Sequence, residues 1–143
     1  MLYYTGDLFV NAEGVTGSIV APKAYSGWFR AFQIGWPPPA VANARFANMW
    51  QPPDFQNGSC SLICSQDAQS GKLLTIMKMN TRIKKIEVHF NRLKSSQLRM
   101  LLEDAYITGY QSPRQGIDAY EHWTLDAGKG TARVLMGPRG PTP

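Results

Sequence analysis

Ser26-Gly27-Trp28-Phe29-Arg30-Ala31-Phe32-Gln33-Ile34-Gly35-Trp36 carries large apolar side chains at both parities of an extended strand. Trp28, Arg30, Phe32, Ile34 and Trp36 fall on one face, and Phe29, Ala31, Gln33 and Gly35 on the other. Leu101-Leu102-Glu103-Asp104-Ala105-Tyr106-Ile107-Thr108-Gly109-Tyr110 has the same two-sided character. A strand reads this way when its second face is covered as well as its first. In a chain of 143 residues a neighbouring subunit is one source of that cover. The pattern points towards assembly rather than catalysis.

Working outward, Tyr3–Val10 is predicted as a first strand ending at the Asn11-Ala12-Glu13-Gly14 turn, and Trp28–Trp36 as the second. Pro37-Pro38-Pro39 ends that strand, because proline has no N–H to give to a ladder. The extended proline-rich loop 37–58 follows, with Phe46, Met49, Trp50, Pro52-Pro53 and Phe55. A segment this aromatic is expected to dock rather than to be disordered. Ser59–Ser65 reads as a short strand. Residues 67–80 read as the one helix, with Asp67 as its cap, Leu73, Leu74, Ile76 and Met77 as its apolar stripe, and Asn80 as its stop. Ile83–Leu93 alternates, placing Ile86, Val88 and Phe90 opposite Lys85, Glu87 and His89. Lys94-Ser95-Ser96 is predicted to turn into a long strand, Leu98–Tyr110. A turn at Pro113-Arg114-Gln115-Gly116 leads to Tyr120–Asp126, and a hairpin at Gly128-Lys129-Gly130 to Thr131–Met136. Many strands, regular turns and one helix predict a β-barrel or sandwich. The domain spans residues 1–136, and 137–143 read as a flexible C-terminal tail.

Apolar residues make up 43% of the chain and charged residues 17%. The charged share falls below the usual ~25%, which is the composition expected if part of the surface is interface. The net charge is +5. Much of the excess lies in Arg82, Lys84, Lys85, Arg92, Lys94 and Arg99, set against Glu87. Arg82, Lys84 and Lys85 are the candidate basic patch, facing a lumen or a partner. No apolar run approaches transmembrane length, and the N-terminus lacks the pattern of a cleaved signal peptide, so no membrane insertion is expected and export would need no leader. Cys60 and Cys64 are four residues apart on a predicted strand. That places them roughly 13 Å apart at ~3.3 Å per residue, beyond the ~7 Å reach of a disulfide. Reduced, buried thiols are expected.

The chemistry-bearing residues do not form a catalytic pattern. His89 and His122 are the only histidines, and neither has a nucleophile and an orienting group arranged around it in sequence. Glu103 and Asp104 are adjacent on a strand and are expected on opposite faces. Gly128-Lys129-Gly130-Thr131 lacks the spacing and the following helix of a phosphate-binding loop. No enzyme activity, no cofactor and no metal are expected.

The order of motifs resembles the Hcp family, the haemolysin-coregulated tube proteins of type VI secretion systems. The resemblance is carried by Gly14-Val15-Thr16-Gly17, by Gly27-Trp28 in a strand ending at Gly35, and by Asp67, Ser70 and Leu73 at the helix start. Ile86-Glu87-Val88-His89-Phe90 and Leu102-Glu103-Asp104-Ala105-Tyr106-Ile107 complete it. It covers most of residues 5–136. Ser18 and Gly71 replace a frequent Glu and Pro of the family, and the proline-rich 37–58 loop replaces its His-Lys-Pro segment, so the chain reads as a divergent member.

The resemblance implies a mainly β fold: a compact barrel of two packed antiparallel sheets with one helix on its side. It also implies a homo-oligomer, with hexameric rings that stack into the inner tube and are secreted with effector cargo. Sheath, spike and effector proteins would be the partners, and the location would be cytoplasmic before assembly, then outside the cell. Trp36, Pro37, Pro38, Pro39, Trp50, Pro52 and Pro53 are the expected subunit or ring contacts. A phage or prophage tail tube shares this architecture and is an alternative. So is a small basic β-barrel binding nucleic acid, which would explain the charge and the aromatics; on the tube reading no nucleic acid is expected.

Overall fold

The computed structural model describes residues 1–38, 52–93, 96–114 and 119–136. Pro39, Trp50, the centre of the 37–58 loop, the Lys94-Ser95 turn, residues 115–118 and the 137–143 tail lie outside the described residues. Six strands form the frame: β1 (Leu2–Ala12), β2 (Phe29–Trp36), β3 (Phe55–Ser65), β4 (Ile83–Leu93), β5 (Ser96–Arg114) and β6 (Tyr120–Met136). Among the described residues one α-helix, α1 (Ser70–Lys78), lies between β3 and β4, and a short 3-10 turn, Lys23–Tyr25, precedes β2.

The strands close in the order β1-β2-β3-β6-β5-β4, with β4 pairing back to β1. Every pairing is antiparallel. The two sheets expected from the sequence are thus one sheet closed on itself, which leaves neither β1 nor β4 with a free edge. The barrel is filled by side chains from all six strands. Leu8, Ala31, Cys60, Cys64, Leu98 and Ala105 have no exposed surface. Both cysteines are free and buried, as their spacing predicts.

Helix α1 packs on β5 and turns Leu73 and Ile76 inward, with Leu74 and Met77 half-buried beside them. It begins at Ser70 rather than Asp67. The preceding residues form a turn in which Asp67 Oδ1 accepts from the Ala68 N–H at 2.8 Å and Ser70 Oγ accepts from the Asp67 N–H at 3.0 Å. At its other end Asn80 takes a left-handed conformation (φ 50°). The Asn80 N–H reaches Met77 O at 3.1 Å and the Thr81 N–H reaches Ile76 O at 3.0 Å, a Schellman stop.

Three features depart from strict alternation. In β2, the register against β3 shifts between Ala31 and Gln33. Phe29 and Ala31 point inward before the bulge and Ile34 and Trp36 after it, while Phe32 is left outside, 45% exposed. The expected face assignment of β2 therefore holds only within each half. Second, the hairpin expected at Gly128-Lys129-Gly130 does not form. β6 runs straight through it, paired along its length with β5 and, from Tyr120 to Gly130, with β3. Gly130 is there for packing: a Cβ on it would lie 2.0 Å from Cε2 of Phe55, its β3 partner.

Third, β4, β5 and β6 all step outward at the same level. Ile83 and Ile86 are both buried with Lys84 and Lys85 exposed between them. Leu102 and Ala105 are buried around half-buried Glu103 and exposed Asp104, and Ala127 and Gly130 around half-buried Gly128 and exposed Lys129. The register aligns these pairs, Lys85 to Glu103 and Glu103 to Lys129. Asp104 sits in the left-handed region (φ 54°), which breaks the alternation of β5. Glu103 and Asp104 therefore both lie outside the core, not on opposite faces as expected.

Filling the Phe55 cradle tests this packing. Gly130→Ala is expected to lower unfolding stability by about 1–3 kcal/mol through overpacking. Gly71→Ala, at a position with nothing within 4 Å of the new Cβ, is expected to leave stability unchanged or raise it. Urea denaturation of the two variants against the parent makes the comparison.

Candidate assembly surface

Residues expected at an interface on sequence grounds are distributed between core and surface. Trp36 has no exposed surface. Its ring packs edge-on to Phe55 with centroids 5.0 Å apart, and its Nε1–H donates to the Pro53 carbonyl at 2.6 Å. It offers no side-chain surface to a neighbour. The expected loop to residue 58 is cut short, because β3 already begins at Phe55; what Trp36 does is tether the Pro52–Pro53 stretch just before that strand to the barrel. Pro37 and Pro52 are buried, Pro53 half-buried and Pro38 exposed. A concavity of about 480 Å³ opens beside them, with Pro37, Pro38, Phe55, Gly58 and Lys129 in its wall. Sequence reasoning missed the tether because β2 was read at one parity throughout; the bulge at Phe32 is what turns Trp36 inward.

The outward step of β4, β5 and β6 builds a second surface. Arg82 pairs with Asp104 across the β4–β5 seam at 3.3 Å, both side chains about half exposed. Lys84 and Lys85 are exposed beside them. Cross-strand register interleaves the signs here: Lys85 faces Glu103, and Glu103 faces Lys129. The expected basic patch is therefore a mixed-charge line. A groove of about 780 Å³ runs alongside, lined by Asn57, Ser59, Arg82, Asp104, Tyr106 and Asp126 among others. Tyr3 and Phe32, 51% and 45% exposed, add apolar surface on β1 and β2, as Tyr106 does on β5 at 38%.

A third cluster is internal. Residues 13–28 fold back across the outer faces of β1 and β4 and bury Phe9, Ile19 and Tyr25 with Trp28 packed against them. Tyr25 stacks on Phe9 at 4.2 Å between centroids, and its hydroxyl lies 2.9 Å from His89 Nδ1. His89 was expected on the polar face of β4; it lies on that face, but the segment covers it and leaves it 7% exposed. The two-sided apolar pattern of β2 and its flanks is thus met in part from within the chain.

Burial pushes the thiols of Cys60 and Cys64 up to about 12, with the carboxylates of Asp126 and Glu121 respectively adding to the effect. Neither is a nucleophile at neutral pH. Among the described residues no group of three or more His, Cys, Asp or Glu side chains converges to hold a metal ion, and no helix is long and apolar enough to cross a membrane.

No family model matches the chain, and no curated protein matches it in sequence. Solved structures do match it in fold. One is a type VI secretion system effector from Yersinia pestis, with TM-score 0.66 and 13% identity over 91% of this chain and 99% of that one. Another is Hcp1 from Salmonella typhimurium, with TM-score 0.64 and 16% identity over 92% of this chain and 85% of that one. The secreted protein Hcp3 from Pseudomonas aeruginosa aligns with TM-score 0.59 and 13% identity over 93% of this chain and 99% of that one. The fold is the Hcp fold, as the order of motifs implied.

Two outcomes test the surface chemistry. Asp104→Val, a β-branched residue forced to positive φ, is expected to cost about 1–2 kcal/mol, while Asp104→Gly folds with stability close to the parent by urea melt. A thiol-specific reagent at pH 8 is expected to leave Cys60 and Cys64 unmodified in the native protein and to label both once it is unfolded in guanidinium.

Proposed function

We propose that this chain is a structural tube subunit of a type VI secretion apparatus. Its fold carries the reading: a closed six-stranded barrel with one helix that aligns over nine-tenths of the chain, and nearly the whole length of a solved type VI secretion protein. The same fold is found in a protein described as secreted. Mechanism here is interface geometry. Subunits associate head to tail around a ring of about six, a contact that closes only when its rotation does, and rings stack into a tube that leaves the cell with its cargo. The subunit is cytoplasmic before assembly and is then exported, alongside sheath, spike and effector proteins.

The Pro37–Pro39 and Pro52–Pro53 segments, with Trp50, form the contact to the next subunit or ring. Trp36 serves that contact from inside, by fixing Pro53. Arg82, Lys84 and Lys85 face the lumen or a partner. No catalytic step is required of any residue. The interleaved charges of the β4–β5–β6 line favour this reading over nucleic-acid binding, which needs an uninterrupted positive face along a phosphate backbone.

Light scattering coupled to size exclusion, followed by negative-stain imaging of the main peak, tests the proposal. A mass near six times that of the 15.9 kDa chain, with ring-shaped particles, is expected. A monomer at every concentration up to about 1 mM, with no rings or tubes on the grid, overturns it.

A further inference from the structure

We propose that the segment 13–28 is an acid-sensitive flap, held shut by a neutral His89 and released when that imidazole takes a proton. The argument rests on the direction of a buried chain of hydrogen bonds. Arg99 Nε donates to Gln97 Oε1 at 2.6 Å, and a guanidinium has no acceptor, so the Gln97 amide can face only one way. Its Nε2 then donates to Asn91 Oδ1 at 2.8 Å and to the Tyr25 hydroxyl at 3.0 Å. The Tyr25 oxygen is thus an acceptor already, and its own proton is directed at His89 Nδ1, 2.9 Å away. The Tyr25 proton is met when Nδ1 is the bare nitrogen, which assigns the ring proton to Nε2, buried without a hydrogen-bond partner and 3.4 Å from a Glu87 carboxylate oxygen.

A second proton on His89 has only Nδ1 to go to. There it meets the Tyr25 hydroxyl proton head-on. Tyr25 can turn to accept from both neighbours, but its own proton then has no acceptor in a site where Tyr25 is 2% exposed. Trp28 and Tyr25 rings close off the imidazole at 4.9 Å and 5.5 Å between centroids. The charged groups facing it are Arg99 from β5, which opposes protonation, and Glu87 from its own strand, which favours it. From the β1–β2 side come Asp7 and Arg30, which neutralise each other in a bidentate pair with Arg30 over the Phe9 ring. Burial and Arg99 outweigh Glu87 and hold the imidazole below its ordinary value of 6.5.

The segment is built to open. Gly14 and Gly27, at its two ends, both sit at φ 87°, where a side chain would be strained, and neither is hemmed in by neighbours. Its described ties to the rest of the chain are few: Val15 in the main core, the rings of Tyr25 and Trp28 against Phe9 and His89, the Glu13 N–H on Lys85 O, and a Ser18 hydroxyl donating to Asp67 Oδ2 at 2.5 Å in the turn before α1. The sign follows from linkage. The open form takes up a proton with the ordinary histidine value and the closed form resists it. Closure is therefore fully favoured above about pH 6.5 and weakens as pH falls below it. Opening exposes Phe9, Ile19, Tyr25 and Trp28.

Amide hydrogen exchange of the full chain, corrected for the intrinsic pH dependence of exchange, reads this out. Release unfolds the segment, so between pH 7.5 and pH 5.5 the amides of Gly17, Ile19, Gly27 and Trp28, whose acceptors all lie within it, are expected to lose protection several-fold, while the β5–β6 amides keep theirs. His89→Asn leaves an acceptor for Tyr25 but no titration, and its flap protection should not change over that range. Equal protection at both pH values in the parent overturns the proposal, as does an undiminished pH dependence in His89→Asn. If that variant does not fold, as judged by its β5–β6 amides, the parent's midpoint decides. A midpoint within the pH 7.5–5.5 window supports His89, and one below that window, in the ordinary carboxylate range, overturns the proposal.

Discussion

A barrel closed on itself has one interior that all six strands must fill, and that constraint organises the rest of this molecule. β5 has 19 residues and β6 has 17, too long for one unbroken alternation to serve. The aligned outward step at Lys84–Lys85, Glu103–Asp104 and Gly128–Lys129 is where all three strands change parity. Two consecutive residues leave the core in each strand, and the inward set resumes at the other parity. Asp104 and Gly128 suit such a step, one tolerating positive φ and the other carrying no side chain to place. The step also fixes the electrostatics of this wall, because the residues it expels are charged and alternate in sign across the strands.

Closure explains why the outer faces matter. With the interior shared by all six strands, an apolar side chain of the wrong parity has nowhere to go but outward. Phe9 is of this kind, and the chain covers it with its own residues 13–28, Ile19, Tyr25 and Trp28 among them. Tyr3, Phe32 and Tyr106 are of the same kind and remain exposed. The two-sided apolar pattern thus divides into a part covered by the chain's own segment and a part left on the surface, and only the second part is open to a neighbouring molecule.

The sequence made the frame legible wherever alternation was clean. Ile83–Leu93 matches β4 at both ends, and Asn80 stops α1 where its tolerance of the left-handed region places it. The errors share one cause, a local change of period that only tertiary packing reveals. The bulge at Phe32 moved Trp36 from an expected surface to the core. Gly128-Lys129-Gly130 has the composition of a hairpin turn, but its glycines serve the outward step and the Phe55 ring within one continuous strand. His89 was placed on the correct face; what could not be read was that residues far back in the chain would cover it. The Hcp fold was legible through the order of weak motifs, none of which identifies a fold alone. The interface was not, because a contact surface is defined by shape and exposure, and neither Pro38 nor Pro53 differs in sequence from a proline that merely ends a strand.

The buried polar chain from Arg99 to His89 shows how a side chain that cannot change its charge sets the state of one that can. Arg99 has donors only, so it dictates the orientation of Gln97. Gln97 dictates the role of the Tyr25 hydroxyl, and that hydroxyl dictates which nitrogen of His89 is bare. The chain crosses β5, the flap and β4. Replacing any one link by an apolar side chain of similar size leaves the next with a buried donor or acceptor unmet, which is costly where water cannot reach. The network therefore specifies where the flap sits more sharply than stacking of Phe9 on Tyr25 does, since stacked rings tolerate sliding and hydrogen bonds do not. A flap placed by aromatic contact and registered by directed hydrogen bonds is held firmly at neutral pH and has one titratable point of failure.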